Sequence, residues 1–514
     1  MSESERLKAG RYRAAAKHVP GEPRRLGHGV RWSFINTLVT KLAGIAVTVV
    51  VVRIVTPHDF GVFAVALVVY AIVAGFGELG LSAGISRREA DPAVAGPVVT
   101  ALSMISSSIL AIAMVVAAHP VATLLGAPQA EAAIRVLAIC IFLNSTTAVS
   151  SAILVRDFRQ GRLFAATAIA FVPANLVLVL LALNGDGALA FAWSRVVGQV
   201  VAGGVVIIAA GKWYRPKWNR AEAVKVLTFG LPLAGANILN YMLLNADFAF
   251  IGSLLGAALL GIYTLAFNVA SWSTSVLGGT INGVAMPALS ALRTKPAQLR
   301  ETMVRWSRLV ALLSFPVSAL TAVLAADIVQ VLYGSTWARA APVLSVLALY
   351  GAVFVVSLLF SNLLIGVGRA GRVFIIQAIW LVSLLITIAL GVRFFGVEGA
   401  AIAHVVVILL VVVPMYLWAV RPVLPKAPSL IGRAVAGPFV AAVIAGAAAL
   451  GGRNLVDGAF SQLLVGGVAG VLVFLLLAMP MIGSVLPERI QVRLAPILSV
   501  YAWRPRARAK RGEL

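Results

Sequence analysis

Charge is scarce in this chain. Asp, Glu, Lys and Arg together supply 12% of its 514 residues, about half the share found in a soluble domain. Acidic residues are scarcer still, 18 Asp and Glu against 42 Lys and Arg. Cysteine is nearly absent: the single Cys140 sits in an apolar run, so no intramolecular disulfide can form, and the thiol reads as a small buried hydrophobe. Short segments of apolar–polar alternation are missing too, which removes a membrane β-barrel. Apolar residues take up what is left, at 61% of the chain and a mean hydropathy of +0.99. One water-soluble globule could not hide that much apolar surface. Runs of about twenty apolar residues recur from Trp32 to Ile482, the length a helix needs to cross a hydrocarbon core. The expectation is an all-α integral membrane protein with about fourteen transmembrane helices.

The runs place spans near 31–54, 60–85, 95–118, 131–154, 163–183, 188–210, 226–252, 258–285, 306–326, 340–365, 372–392, 398–419, 432–451 and 461–482. The intervening loops are short, which leaves no room for an extramembrane domain. The helices themselves must do the work. The N-terminus is polar and basic up to Trp32, and the first apolar run is too long for a signal-peptide core, so no cleaved leader is expected.

A net charge of +24 raises the question of nucleic acid. Position answers it: most basic residues occupy the two tails and alternate short loops. The opposite loops hold only Arg53, Arg339, Arg393 and Arg453, while Lys41, Arg135 and Arg195 fall inside spans. That asymmetry puts both termini on the cytoplasmic side of the membrane and argues against nucleic acid as a partner. The basic stretch from Trp503 to Arg511 is expected to rest on anionic lipid headgroups. Gly366-Val-Gly-Arg-Ala-Gly371 matches the dinucleotide fingerprint in letters alone, since it lies between two spans and not in a βαβ unit.

A repeat appears at an offset of 200 residues: Asp59-Phe-Gly-Val-Phe-Ala-Val-Ala66 aligns with Leu259-Leu-Gly-Ile-Tyr-Thr-Leu-Ala266. Six spans separate the copies, an even number, so the two halves share one orientation. The implied architecture is two six-helix lobes in a parallel pseudo-two-fold repeat, plus two extra C-terminal helices. The divisions are a basic N-terminal tail (1–30), an N-lobe (31–210), a linker (211–225), a C-lobe (226–420), the extra pair (421–482) and a basic C-terminal tail (483–514).

The segments Arg53-Ile-Val-Thr-Pro-His-Asp-Phe-Gly-Val-Phe-Ala and Phe76-Gly-Glu-Leu-Gly-Leu-Ser carry a family resemblance, as do Asn245-Ala-Asp-Phe-Ala-Phe-Ile-Gly and Leu260-Gly-Ile-Tyr-Thr-Leu-Ala. They resemble polysaccharide flippases of the multidrug/oligosaccharidyl-lipid/polysaccharide (MOP) exporter superfamily, nearest to its Wzx-type and polysaccharide-transport members. The resemblance implies a transporter and not an enzyme, one that moves a polyprenyl-diphosphate glycan between leaflets by alternating access. It further implies a lipid-linked oligosaccharide substrate, a monomer among membrane lipids, glycan polymerase or glycosyltransferase partners, and a groove for the polyprenyl tail at the two extra helices. No cofactor is expected beyond a coupling H+ or Na+. A cation-coupled multidrug or small-solute antiporter of the same superfamily is the alternative within the class. A membrane glycosyltransferase or polymerase is the alternative outside it, weakened by outer loops that are short and poor in carboxylates.

Ionisable groups at bilayer depth cost about 2.5–3.5 kcal/mol on insertion scales, so they usually face a cavity or a partner. A diphosphate crossing an apolar barrier needs fixed cations. Lys41, Arg135 and Arg195 would line such a path, with Arg53 at its mouth, and Asn240 and Asn245 suit sugar hydroxyls. Glu78 and Asp247 are the candidates for a coupling ion. Of these, Lys41, a lone cation deep in the first span, is the leading expectation. His404 reads as a packing residue.

Overall fold

The computed structural model describes residues 43–77, 81–82, 85, 91–157 and 159–483. The side chains of 77, 229–240, 243–244, 273, 276, 279–280, 282–284, 286–287 and 483 are outside that description. Lys41, Glu78 and the Asn240 side chain, all singled out above, therefore lie outside it, as do both basic tails.

The described chain is helical throughout. In order run α1 (Ala43–Val52), α2 (Pro57–Gly77), α3 (Pro92–Val116), α4 (Ala118–Leu124), α5 (Ala130–Arg156), α6 (Gln160–Leu183), α7 (Ala188–Ala210) and α8 (Arg220–Ala291). Then come α9 (Pro296–Val323), α10 (Ala325–Tyr333), α11 (Ala340–Gly366), α12 (Ala370–Val407), α13 (Val413–Val420), α14 (Ala427–Arg453) and α15 (Ala459–Gly483). Local chemistry sets several starts. Asp91 Oδ1 accepts from the Ala93 amide ahead of a proline at the first helical position, and the Asn219 side chain accepts from the Ala221 and Glu222 amides.

Eleven stretches among the described residues are long and apolar enough to cross a membrane, where about fourteen spans were expected. Helix geometry accounts for the shortfall. Helix α8 has 72 residues, about 108 Å if straight, more than three times the hydrocarbon thickness. It breaks at Gly256, whose φ of 76° suits glycine, so one continuous assignment holds two limbs. Helix α12 breaks in the same way at Gly396 (φ 60°), and its second limb runs through a π-turn at Ile408–Val412 into α13. The first expected span begins among residues that are not described.

With no hydrophobic effect to drive helices together in lipid, small residues set how closely they approach. The tightest approach joins the two halves of the chain. A Cβ on Gly61 of α2 would collide with the Ala257 carbonyl, and one on Gly261 of α8 would collide with the Pro57 carbonyl. Residues 57 and 61 thus meet 257 and 261 reciprocally, at the 200-residue offset of the sequence repeat. A two-fold-related pair of surfaces requires this isologous pattern. The end of the bundle that carries these turns is called the glycine end below. Helices α14 and α15 pair through the same device, with Gly466 against the Ala449 carbonyl and Gly470 against that of Ala445. They dock on α9, where Phe315 meets Phe439 edge-on.

Candidate functional site

The candidate residues fall into three groups. The first closes the glycine end. Arg53, just past α1, donates through Nε to the Leu332 carbonyl at 2.9 Å and through Nη2 to the Val331 carbonyl. Those carbonyls belong to the last turn of α10, which lacks intrahelical donors, so a cation there satisfies both a hydrogen-bonding and a dipole requirement. Beside it the buried Trp337 donates Nε1–H to the Val52 carbonyl at 2.9 Å and packs edge-on against Phe60. At the other end of α10, Asp327 meets Arg453 of α14 at 3.0 Å. Arg135, expected to line a transport path, is bound to Glu131 one turn away at 2.5 Å, and Glu131 also holds His119 of α4 at 2.7 Å.

The second group lies in the N-terminal half. Arg195, two turns into α7, places its guanidinium over the Tyr70 ring of α2, 4.9 Å from the centroid. The Tyr70 hydroxyl accepts from Asn144 Nδ2 at 3.0 Å, and Asn144 Oδ1 accepts from Gln199 Nε2 at 2.5 Å. Three helices thus hold a planar cation in a fixed pose. Its neighbours Ser194 and Val196 are buried, while Arg195 is exposed, and no carboxylate pairs with it among the described residues. Tyr70 lies on the helix that forms the seam with α8. Of the expected cations, Arg195 alone is described both at membrane depth and free of an ionic partner.

The third group is buried in the C-terminal half. Asp247 is 6% exposed and His404 3%, in a region otherwise apolar. The Tyr263 hydroxyl lies 2.8 Å from His404 Nε2 and donates to Asp247 Oδ2 at 3.4 Å, and Nε2 is itself 3.4 Å from that oxygen. Phe248, Phe267 and Tyr350 pack around the cluster, Tyr350 edge-on to the imidazole. Asn245, expected to face sugars, instead donates back to the Tyr241 carbonyl of its own helix at 2.8 Å. Sequence reasoning passed over Tyr70, Asn144, Gln199, Tyr263 and Tyr350. It read His404 as packing, and the structure finds the imidazole in a polar pair. A lone imidazole in an apolar span was the available signal.

Among the described residues no group of three or more His, Cys, Asp or Glu side chains is arranged to hold a metal ion.

Two halves thus meet at a reciprocal glycine contact, one carrying a fixed cation and the other a buried acid. Solved structures show the same fold. The lipid II flippase MurJ in an inward closed conformation superposes with a TM-score of 0.70 at 14% identity, covering 86% of this chain and 97% of that one. An inward-facing multidrug resistance MATE transporter of the MOP superfamily gives 0.60 at 16% identity, over 76% and 95%. Residues 50–342 match the family model described as polysaccharide biosynthesis protein, and the chain belongs to that family. Relatives include the succinoglycan biosynthesis transport protein ExoT of Rhizobium meliloti (strain 1021), 27% identical over 67% of this chain and 70% of that protein. The lipopolysaccharide biosynthesis protein WzxC of Escherichia coli (strain K12) is 22% identical over 77% and 81%. The chain is thus a polysaccharide-biosynthesis family protein in which eleven described stretches are long and apolar enough to cross a membrane.

Proposed function

We propose that the protein is a flippase that moves a polyprenyl-diphosphate-linked oligosaccharide from the inner to the outer leaflet of the plasma membrane, for cell-surface polysaccharide synthesis. The observation that carries this reading is Arg195. An arginine at membrane depth with no carboxylate partner among the described residues leaves five N–H donors for a ligand, and a planar fork matches phosphate oxygens bidentately. The Asn144–Gln199 pair beside it offers amide groups suited to sugar hydroxyls. A cationic drug would be repelled by this site, which disfavours the antiporter reading.

The excess of Lys and Arg in the tails puts the glycine end on the outer face. The reciprocal glycine contact at that end supports a cycle in which the substrate loads from the cytoplasm. Lys41 would extend the cationic path from the first span, and Arg53 would serve as a latch at the outer mouth. The apolar pair α14–α15 would accept the polyprenyl tail, and its outer end already carries a shallow apolar depression lined by Phe460, Leu464 and Val468. The protein works as a monomer, alongside the glycosyltransferases that make its substrate and the polymerase that uses the product.

Deletion of the gene is expected to make a lipid-linked oligosaccharide accumulate on the cytoplasmic leaflet while surface polysaccharide disappears. Arg195→Ala, at unchanged protein level, should fail to reverse this. Restoration of the polymer by Arg195→Ala would overturn the assignment of the site. Absence of any accumulated lipid-linked glycan in the deletion strain would overturn the flippase reading.

A further inference from the structure

We infer that the segment joining the two halves, residues 211–220, is a strap that binds anionic lipid headgroups at the end of the bundle opposite the glycine end. The leaflet is the cytoplasmic one in the orientation proposed above, and nothing else in the inference rests on that reading. Helix α7 fixes the end. Gly187, just before its start, lies against Asp59 at the glycine end, and its 23 residues carry the chain about 35 Å away before Gly211 turns it (φ 73°).

A linker that only joins two halves can be slack, and this one is held. From Lys212 to Asn219 it has neither helix nor strand, yet it is fixed to the N-terminal half at successive points. The Trp213 indole Nε1–H donates to the Thr146 carbonyl of α5 at 3.3 Å, and the Lys217 amide donates to the Pro97 carbonyl of α3 at 3.1 Å. Between them the Tyr214 ring lies so close to Gly96 that a Cβ there would approach it to 2.8 Å. Lys212 Nζ sits 4.8 Å from the centre of the same ring, and Asn219 caps α8.

What the strap leaves exposed has one chemistry. Lys212, Arg215, Lys217 and Arg220 are all exposed, no Asp or Glu occurs from 211 to 221, and Glu222 is taken by Lys225 at 3.2 Å. None of the four cations has a carboxylate partner among the described residues. Trp218 is 62% exposed and Trp213 42%. Open indoles among cations of one sign match the headgroup layer, which takes the rings at the acyl boundary and the cations at phosphate. Depth agrees. Helix α3 has 25 residues, about 38 Å against a hydrocarbon core of roughly 30 Å, so its first turns stand among headgroups. Lys217 meets it at Pro97, about 8 Å from its start. Single-stranded nucleic acid also takes cations interleaved with aromatics, but a strap at headgroup depth meets lipid first.

The experiment reads Trp218 by difference. Purified full-length protein is reconstituted in equimolar phosphatidylcholine and phosphatidylglycerol, with brominated acyl chains on one lipid or on the other. Bromine quenches a nearby indole, so wild type minus Trp218→Phe isolates the quenching at this position from that of the other tryptophans. It is expected to be at least about twofold greater when phosphatidylglycerol carries the bromine. The preference should vanish in Arg215→Gln/Lys217→Gln, which keeps the amide that anchors residue 217. Equal quenching by the two lipids would overturn the proposal, since any interfacial indole does that. So would no quenching by either, or a preference that survives the double substitution. If Trp218→Phe fails to fold, total quenching by brominated phosphatidylglycerol is compared between wild type and Arg215→Gln/Lys217→Gln, and the absence of a drop overturns the proposal. The vesicles hold no glycan lipid, so this inference and the flippase reading fail separately.

Discussion

Arg195 is fixed by stacking and not by an ion pair, and that choice has consequences. A carboxylate partner would hold the side chain equally well but would neutralise it and occupy the N–H fork that a phosphate needs. A ring face orients the guanidinium and leaves every donor free, for about 0.5–2 kcal/mol. Tyr70 thus has two separable jobs, a ring for Arg195 and a hydroxyl for Asn144. Tyr70→Phe keeps the ring and loses one hydrogen bond, so transport should fall only about threefold to tenfold, in line with about 1 kcal/mol. Tyr70→Leu removes the platform and should approach the loss seen for Arg195→Ala. Surface polymer yield at matched protein levels reads both, and equal defects for the two variants would contradict the stacking role. Arg195→Lys should also be impaired, because an ammonium neither stacks as a plane nor bridges two phosphate oxygens.

At the scale of the element, α10 matters more than its nine residues suggest. Its C-terminal carbonyls accept from Arg53 just past the first helix, and its N-terminal Asp327 meets Arg453 of α14. Both arginines suit their places, one at the negative end of the helix dipole and one against an acid in the first turn. A short rigid helix gripped at both ends ties the latch between the halves to the extra C-terminal pair. The Asp327 grip is not a simple gain. Burial pushes its carboxyl above the usual carboxylate range despite the opposing pull of Arg453. An acid whose folded value is raised contributes stability at low pH that is lost as the pH rises through that value. Asp327→Asn should therefore flatten the acid limb of the stability–pH curve and leave the protein no less stable near neutrality. Arg453→Ala leaves a buried carboxylate alone and should lower the melting temperature more at neutral than at acid pH. Thermal denaturation across acid and neutral pH checks both, and a large destabilisation by Asp327→Asn at neutral pH would mean that the pair is a net stabiliser. None of this linkage was legible in the sequence. Arg53, Asp327 and Arg453 lie more than a hundred residues apart from one another, and in the sequence the two arginines signal only orientation.

Across the whole molecule, the features that sequence made legible are those governed by period and length. The apolar runs gave the helical membrane fold, and the aligned Gly61 and Gly261 marked a repeat, but only the structure shows its two copies in contact. What stayed hidden was side-chain company across helices: Arg195 could be placed in a span, but not over a tyrosine. The i,i+4 spacing of Glu131 and Arg135, by contrast, was a legible signal that went unused. The reciprocal glycine contact leads to a prediction about conformation. Two backbones in contact at residues 57–61 and 257–261 leave no room for a side chain at either glycine, so Gly61→Val must part the helices there. The proposed alternating-access cycle needs a second state in which this end is open, so the substitution should shift the population toward it and need not unfold the protein. An overpacking penalty of about 1–3 kcal/mol in the closed state corresponds to a shift of roughly 5-fold to 150-fold. The chain suits a direct measurement, because its one native thiol, Cys140, is buried and can be changed to serine. A cysteine placed at Ala257, 4% exposed in the closed state, should then react slowly with a membrane-impermeant maleimide applied from outside. Adding Gly61→Val should speed that reaction by at least about 5-fold, and Gly261→Val should do the same, because the contact is reciprocal. Acceleration by one substitution and not the other would show that the two glycines are not equivalent and that the outer closure is asymmetric.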